Sequence, residues 1–219
     1  MLKRLLGMVL PLLASSCGNS AKPGATQEID PKKILFSLPT LCDPAPALDD
    51  SVVTDKARSL HEDDWRQIEF VPAANAAHIR SELAALAIFK QEHRQGSGWD
   101  QVYLRKEHPS PFSTLSAQFV DLPTLTEYPL ALSGQKVRGG FALADSDGWF
   151  IYGQKTPEGK ILELAVQPTG SQPTQQFARA LVQIAHASGT LLVDWYHTSI
   201  VDTSSPDLVL AWAHRDPGR

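Results

Sequence analysis

Val137–Ala144 reads VRGGFALA, Asp145–Gly148 reads DSDG, and Trp149–Gln154 reads WFIYGQ; Thr156–Lys160 (TPEGK) then leads into Ile161–Val166 (ILELAV). Three apolar, β-branched or aromatic runs alternate with two short segments rich in Asp, Ser, Pro and Gly. Such turn residues supply the backbone angles that reverse a strand, so the stretch predicts three consecutive antiparallel strands.

Outward from this meander the pattern changes period. On its C-terminal side, Phe177, Leu181, Ile184 and Ala185 recur at helical spacing, with Ser171 or Thr174 as cap and Gly189 as stop. They predict a helix over Pro173–Ser188 whose apolar stripe carries Phe177, Leu181 and Ile184 into the core. Thr190–Trp195 follows as an apolar strand, Ser204–Asp207 as a turn and Leu208–Ala213 as a last strand. On the N-terminal side, Ile68 and Phe70 alternate with Gln67 and Glu69, which reads as a half-buried strand ended by Pro72. Ala74–Arg94 has a helical stripe of Ile79, Leu83, Leu86 and Lys90, Asn75 as cap and Gly96-Ser97-Gly98 as stop. Gln101–Lys106 and Leu115–Leu122 are further strand candidates. The expected class is α+β, with about two helices packed on a mainly antiparallel sheet.

The 219 residues are 42% hydrophobic and 20% charged, which excludes a disordered or collagen-like chain and a multi-span membrane protein. The formal charge of −4 becomes −6 if Lys3 and Arg4 are removed with a leader. An acidic chain does not suit nucleic acid.

Met1–Ser16 (MLKRLLGMVLPLLASS) has a short positive start, a ten-residue apolar run over Leu5–Ala14 and small residues before Cys17. The run is too short to span a bilayer and has the proportions of an export signal. Ala14-Ser15-Ser16-Cys17 resembles the lipobox of bacterial lipoproteins. The resemblance implies that Cys17 is lipidated, becomes the new N-terminus and is N-acylated, with Gly18 directing the protein to the outer membrane. Several acyl chains hold a protein on a membrane where one does not. The expected organisation is therefore 1–16 signal peptide, 17–33 flexible tether and 34–215 a single α+β domain. Cys42 then has no disulfide partner and reads as an inert thiol rather than a Cys–His nucleophile.

His61-Glu62-Asp63-Asp64-Trp65 is the densest polar cluster. It fits a solvated acidic approach to the next strand, with Trp65 packed beneath. It also fits a partner-binding patch of Glu62, Asp63, Asp64 and Trp65. The remaining clusters point to structure. His78 and Glu82 read as an exposed pair on the first helix, and His93 as a charge at its C-terminal end. Asp145–Gly148 lacks the downstream Glu of a calcium loop, since position 156 is Thr. Asp194, His197 and Ser199 are the types of a catalytic triad, but no nucleophile elbow accompanies them. Gly139-Gly140 belongs to no phosphate-binding motif. No cofactor and no metal site is expected.

In size, anchor, charge and its acidic–aromatic stretch, the chain resembles periplasmic lipoprotein immunity proteins, which neutralise toxins from competing bacteria. The resemblance implies a lipid-anchored envelope binding protein without catalysis, with a basic toxin as partner. The alternative is a metal-assisted envelope hydrolase using His61 and Asp63 or Asp64, which requires a pocket where His61 meets His186, His197 or His214.

Overall fold

A computed structural model describes residues 30–42, 45–51, 53–110, 112, 125–145 and 148–215. The leader, Cys17, the proposed strand Leu115–Leu122 and the turn residues Ser146 and Asp147 lie outside them. The chain divides into Met1–Lys33, of which the described part includes a short 3-10 turn at Pro31–Lys33, and Ile34–Arg219.

In chain order its strands are β1 Thr40–Cys42, β2 Leu48–Asp49, β3 Arg58–Leu60 and β4 Ile68–Pro72. Helix α1, Ala76–His93, precedes β5 Arg94–Gln95, β6 Gly98–Trp99 and β7 Tyr103–Arg105. Then come β8 Thr126–Leu132, β9 Gln135–Ala144, β10 Phe150–Lys155 and β11 Ile161–Gln167. Helix α2, Gln175–Ser188, leads to β12 Thr190–Asp194, β13 Ser199–Val201 and helix α3, Pro206–Ala213. Nine strands form one sheet in the order β13-β12-β4-β11-β10-β9-β8-β3, with β2 added beside β9. All its pairings are antiparallel except β3 with β8, so the fold is α+β.

The meander forms as its turns dictate, with β9, β10 and β11 paired in sequence. It is preceded by a strand the pattern hides, β8, interrupted by Pro129 and by a register shift beside it. Ser133 and Gly134, both at positive φ, close the β8–β9 hairpin. α2 also forms as expected. The Thr174 hydroxyl accepts from Phe177 N, Gly189 ends the helix in the left-handed region, and Phe177, Leu181 and Ile184 are fully buried.

Leu208–Ala213 is helical, not a strand. Ser205 caps α3 by accepting from Leu208 N, and Pro206 fits the first turn, where its missing N–H costs nothing. Val209, Trp212 and Ala213 are buried at i, i+3 and i+4. A short apolar run carries no period of its own, so the Ser-Pro start decides it.

β4 is buried on both faces rather than one. Alternation along β4 and β12 sends Phe70 and Leu192 one way, into the core under α2 and α3, and Val71 and Val193 the other way, against α1. Glu69 shares the α1 face, on the cross-strand row Tyr152, Ala165, Glu69, Val193. Further along that face Trp65 packs with Leu60, Leu130, Phe150 and Tyr152. Glu82 is buried too, contrary to its reading as an exposed partner of His78; its carboxylate accepts from Tyr103 Oη at 3.1 Å and Lys106 N at 3.3 Å, tying α1 to β7.

Candidate functional site

The ladder between β4 and β11 is a single register pair, Glu69 with Ala165. A cavity lies at each end of this seam.

At the end where β4 begins and β11 finishes, a cleft of about 520 Å³ is lined by Ser37, Leu38, His61, Asp63, Asp64, Gln67, Gln167, Pro168 and Tyr196. The acidic stretch enters it as a 3-10 turn, Glu62–Asp64, capped by His61. His61 Nδ1 lies 3.3 Å from Asp63 N and 3.5 Å from the Asp63 carboxylate. Neutral, it accepts from the backbone; protonated, it donates to the carboxylate. His61 and Glu62 are exposed, Asp63 and Asp64 half-buried. Trp65 is not part of any exposed patch: it is buried and tilts against Tyr152 at 5.4 Å between ring centres. The expected patch of Glu62, Asp63, Asp64 and Trp65 thus reduces, on the surface, to its three carboxylates. Gln67, Gln167 and Tyr196 join them only through the fold. Their proximity has no signal in a sequence where 100 residues separate Gln67 from Gln167.

His61 lines this cleft with Tyr196 but with no second histidine; His186, His197 and His214 are on the surface elsewhere. Among the described residues no three His, Cys, Asp or Glu side chains converge as a metal site.

Between the cavities lies a buried ionic network that alternation alone assigned to solvent. Glu69 Oε2 accepts from Arg66 Nε at 2.7 Å. Its Oε1 accepts from Trp195 Nε1 at 2.8 Å and Arg105 Nη1 at 3.3 Å, and meets His108 Nε2 at 3.0 Å. Arg105 Nη2 donates to Arg66 O, and the Arg105 guanidinium lies 4.5 Å over the Trp195 ring. Arg66 Nη1 donates to Glu107 at 3.1 Å, and Tyr152 Oη accepts from Arg66 N while donating to Asp64 O. Burial alone would raise the Glu69 pKa, but Arg66, the His108 hydrogen bond and Arg105 outweigh it and hold the carboxyl well below the usual range. The network joins the Asp64 backbone at the first cleft to Glu107 and His108 at the second.

The second cavity, about 250 Å³, lies where β4 ends and β11 begins, bounded by Pro72, Phe112 and Leu162 and by Arg66, Glu107, His108, Ser110 and Glu163. Glu163 has its Oε2 buried without a hydrogen-bond partner. Burial first, then repulsion from Glu69 and Glu107, pushes this carboxyl from 4.5 to about 7 against the opposing pull of Arg66. Because the folded value is raised, the native state resists ionisation, and stability is lost as pH rises from 4.5 through about 7. Glu163→Gln removes that loss, amounting to at most about 3 kcal/mol. Urea unfolding at pH 5 and pH 8 is expected to give a variant whose advantage over wild type appears only at the higher pH; an equal difference at both contradicts the ionisation.

The other candidates resolve into structure. Cys42 Sγ donates to Glu107 at 3.5 Å, and burial pushes the thiol up to about 12, so the Cys–His nucleophile has neither its histidine nor its thiolate. Asp194 is fully buried; its carboxylate takes His197 Nδ1 at 2.7 Å, Trp212 Nε1 at 2.9 Å and His197 N at 3.0 Å. It clamps α3 to the β12–β13 hairpin, with Ser199 opposite it in the ladder. His93 meets Asp100 at 3.1 Å rather than acting alone on the helix end. Asp145 accepts from the Thr174 hydroxyl at the cap of α2.

No family model, no curated protein and no solved structure matches this chain.

Proposed function

We propose that this chain is a binding protein without catalysis, anchored to the bacterial envelope through lipid on Cys17, that docks a basic protein partner at the cleft bearing His61, Asp63 and Asp64. One observation carries the reading. The acidic turn edges an open cavity of about 520 Å³ instead of lying on a flat solvated face. Carboxylates on the rim of a concavity steer a basic surface toward it, and Tyr196 and Leu38 offer the apolar contact that holds it. A secreted toxin meeting an immunity protein is the partner class this favours, and a tether at Cys17 would keep the binder where the toxin arrives.

Asp63→Lys/Asp64→Lys is expected to slow association by about tenfold or more and to weaken its dependence on salt, leaving the melting temperature near that of wild type. The comparison uses proteins captured from envelope extract by wild type and then titrated against both forms at two salt concentrations. A variant that binds every captured protein as wild type does removes the cleft from the interface. Metal-dependent turnover by wild type would favour the hydrolase instead.

The anchor has its own test. Cys17→Ala is expected to take up no labelled palmitate and to keep its leader uncleaved. Normal maturation of that variant would contradict lipidation at Cys17.

A further inference from the structure

We propose that the first residues of the unit Ile34–Arg219, namely Ile34, Leu35 and Phe36, form with Arg94 a docking patch for the surface of an anionic phospholipid bilayer. The inference goes beyond the acidic cleft and rests on the proposed lipid anchor at Cys17.

Seven large hydrophobic side chains are exposed among the described residues, and three of them are consecutive: Ile34 at 40%, Leu35 at 48% and Phe36 at 38%. Exposed apolar residues are ordinarily scattered singly, so a run of three asks for a partner. The run is not a loose end. Phe36 N donates to Trp99 O at 2.8 Å, and Trp99 N donates to Phe36 O at 3.0 Å. Trp99 is in turn paired with Arg94 between β5 and β6. Leu35 lies against the bare Gly98 backbone, where a Cβ would stand 2.7 Å from Leu35 Cβ. Folding therefore fixes the backbone of the run and still leaves its side chains in water.

Charge decides what covers it. Arg94 is exposed, and its guanidinium lies 4.6 Å over the Trp99 ring. In sequence, Lys32-Lys33 stand directly before Ile34, and both are exposed. Glu92 on α1 opposes them, while Asp100 beside Trp99 is taken up by His93 at 3.1 Å and Gln95 at 3.0 Å. A chain of net charge −4 thus flanks its exposed apolar run with cations. These cations repel a basic protein, the partner class that the acidic cleft favours. They match a bilayer surface, where aliphatic and aromatic side chains enter the headgroup region and Lys or Arg meets lipid phosphates. Position agrees. Residues 18–33 separate Cys17 from Ile34, and a polar linker of that length reaches roughly 20 Å. A lipid on Cys17 would then hold the run at the bilayer. Ser37 and Leu38 follow it and line the first cleft, so docking would also set that cleft beside the membrane surface.

The test uses the lipoprotein purified from membranes and reconstituted into vesicles of phosphatidylglycerol and phosphatidylethanolamine. Leu35→Cys supplies a reactive thiol for an environment-sensitive fluorophore, since burial pushes the Cys42 thiol up to about 12 and lipid would occupy Cys17. Ile34→Cys is a second reporter, away from the Gly98 contact. Leu208→Cys, exposed on α3 across the sheet from α1, is the control. Labels at 34 and 35 are expected to shift to the blue and to be quenched by nitroxide-labelled lipid, and the label at 208 to do neither. Arg94→Glu, and separately vesicles of phosphatidylcholine, are expected to cut the quenching by about half or more. Quenching at 34 and 35 no greater than at 208 overturns the patch and leaves the anchor standing. A label shielded from aqueous iodide yet not quenched by lipid also overturns it and assigns the run to a protein surface. Equal quenching in phosphatidylcholine overturns the requirement for anionic lipid. Release of the protein from the vesicles by urea sinks the anchor, and this proposal with it.

Discussion

Glu69→Ala is expected to lower stability by about 3–5 kcal/mol, because it leaves two buried guanidinium groups without their shared carboxylate. Arg66 and Arg105 have side chains only 5% and 2% exposed, so neither can turn to water without dismantling its surroundings. Trp195 Nε1 and His108 Nε2 lose their acceptor at the same time. Against a domain stability of about 5–15 kcal/mol this is a large fraction, and the melting temperature should drop by roughly 10 °C or more. The effect has a pH signature. The Glu69 carboxyl lies below its usual 4.5, so its contribution is complete above that value and fades as pH falls through the folded one. Wild type and variant should therefore differ most near neutrality and converge in acid. Glu69→Leu/Arg105→Met removes one cation with the anion and should recover part of the loss. A Glu69→Ala protein that melts with wild type at pH 7 would show that the network contributes nothing.

This network is also the part of the molecule least legible in the sequence. The Ile68–Val71 segment alternates as a half-buried strand should, and Glu69 falls on the polar phase. Its partners Arg105 and His108 lie 36 and 39 residues further on, and Trp195 lies 126 residues further on. A period-two pattern reports only what one strand presents, not what later chain folds over it. Local signals did better. α2 is specified by an apolar stripe, a Thr cap and a Gly stop within one short segment, and the meander by its own turns. α3 carries a local start signal too, Ser205-Pro206, but those residue types also make a turn, and the short apolar run after them has no period to separate helix from strand. Of the first cleft, the acidic turn is visible as residues, while its other wall, Gln167 and Tyr196, exists only in three dimensions. Asn75 shows the same divide: it starts α1 as its position suggests, yet its amide exchanges hydrogen bonds with the Ser110 backbone instead of capping the helix.

Gly153→Ala is expected to be the second severe variant, for a reason that involves no charge. Gly153 sits at the centre of β10, paired with Phe141 on one side and Leu164 on the other. A Cβ there would stand 2.1 Å from Glu163 O and 3.2 Å from Phe141 Cζ. The first is backbone of the neighbouring strand, held in its ladder, so it cannot rotate aside as a side chain would. Relief requires β10 and β11 to part just before the register shift at Gln154–Lys155. The sheet is continuous through these strands, and cores of both faces rest on them, so the separation should cost at least about 3 kcal/mol. It should also displace Glu163 and with it the wall of the second cavity. Gly170→Ala is the matched control, since a Cβ there meets nothing within 4 Å and the change should stay within about 0.5 kcal/mol. Thermal unfolding of the two variants side by side separates close strand approach from a general intolerance of replacing glycine. If Gly153→Ala unfolds no earlier than Gly170→Ala, the strands are not held as close as the Glu163 carbonyl contact requires.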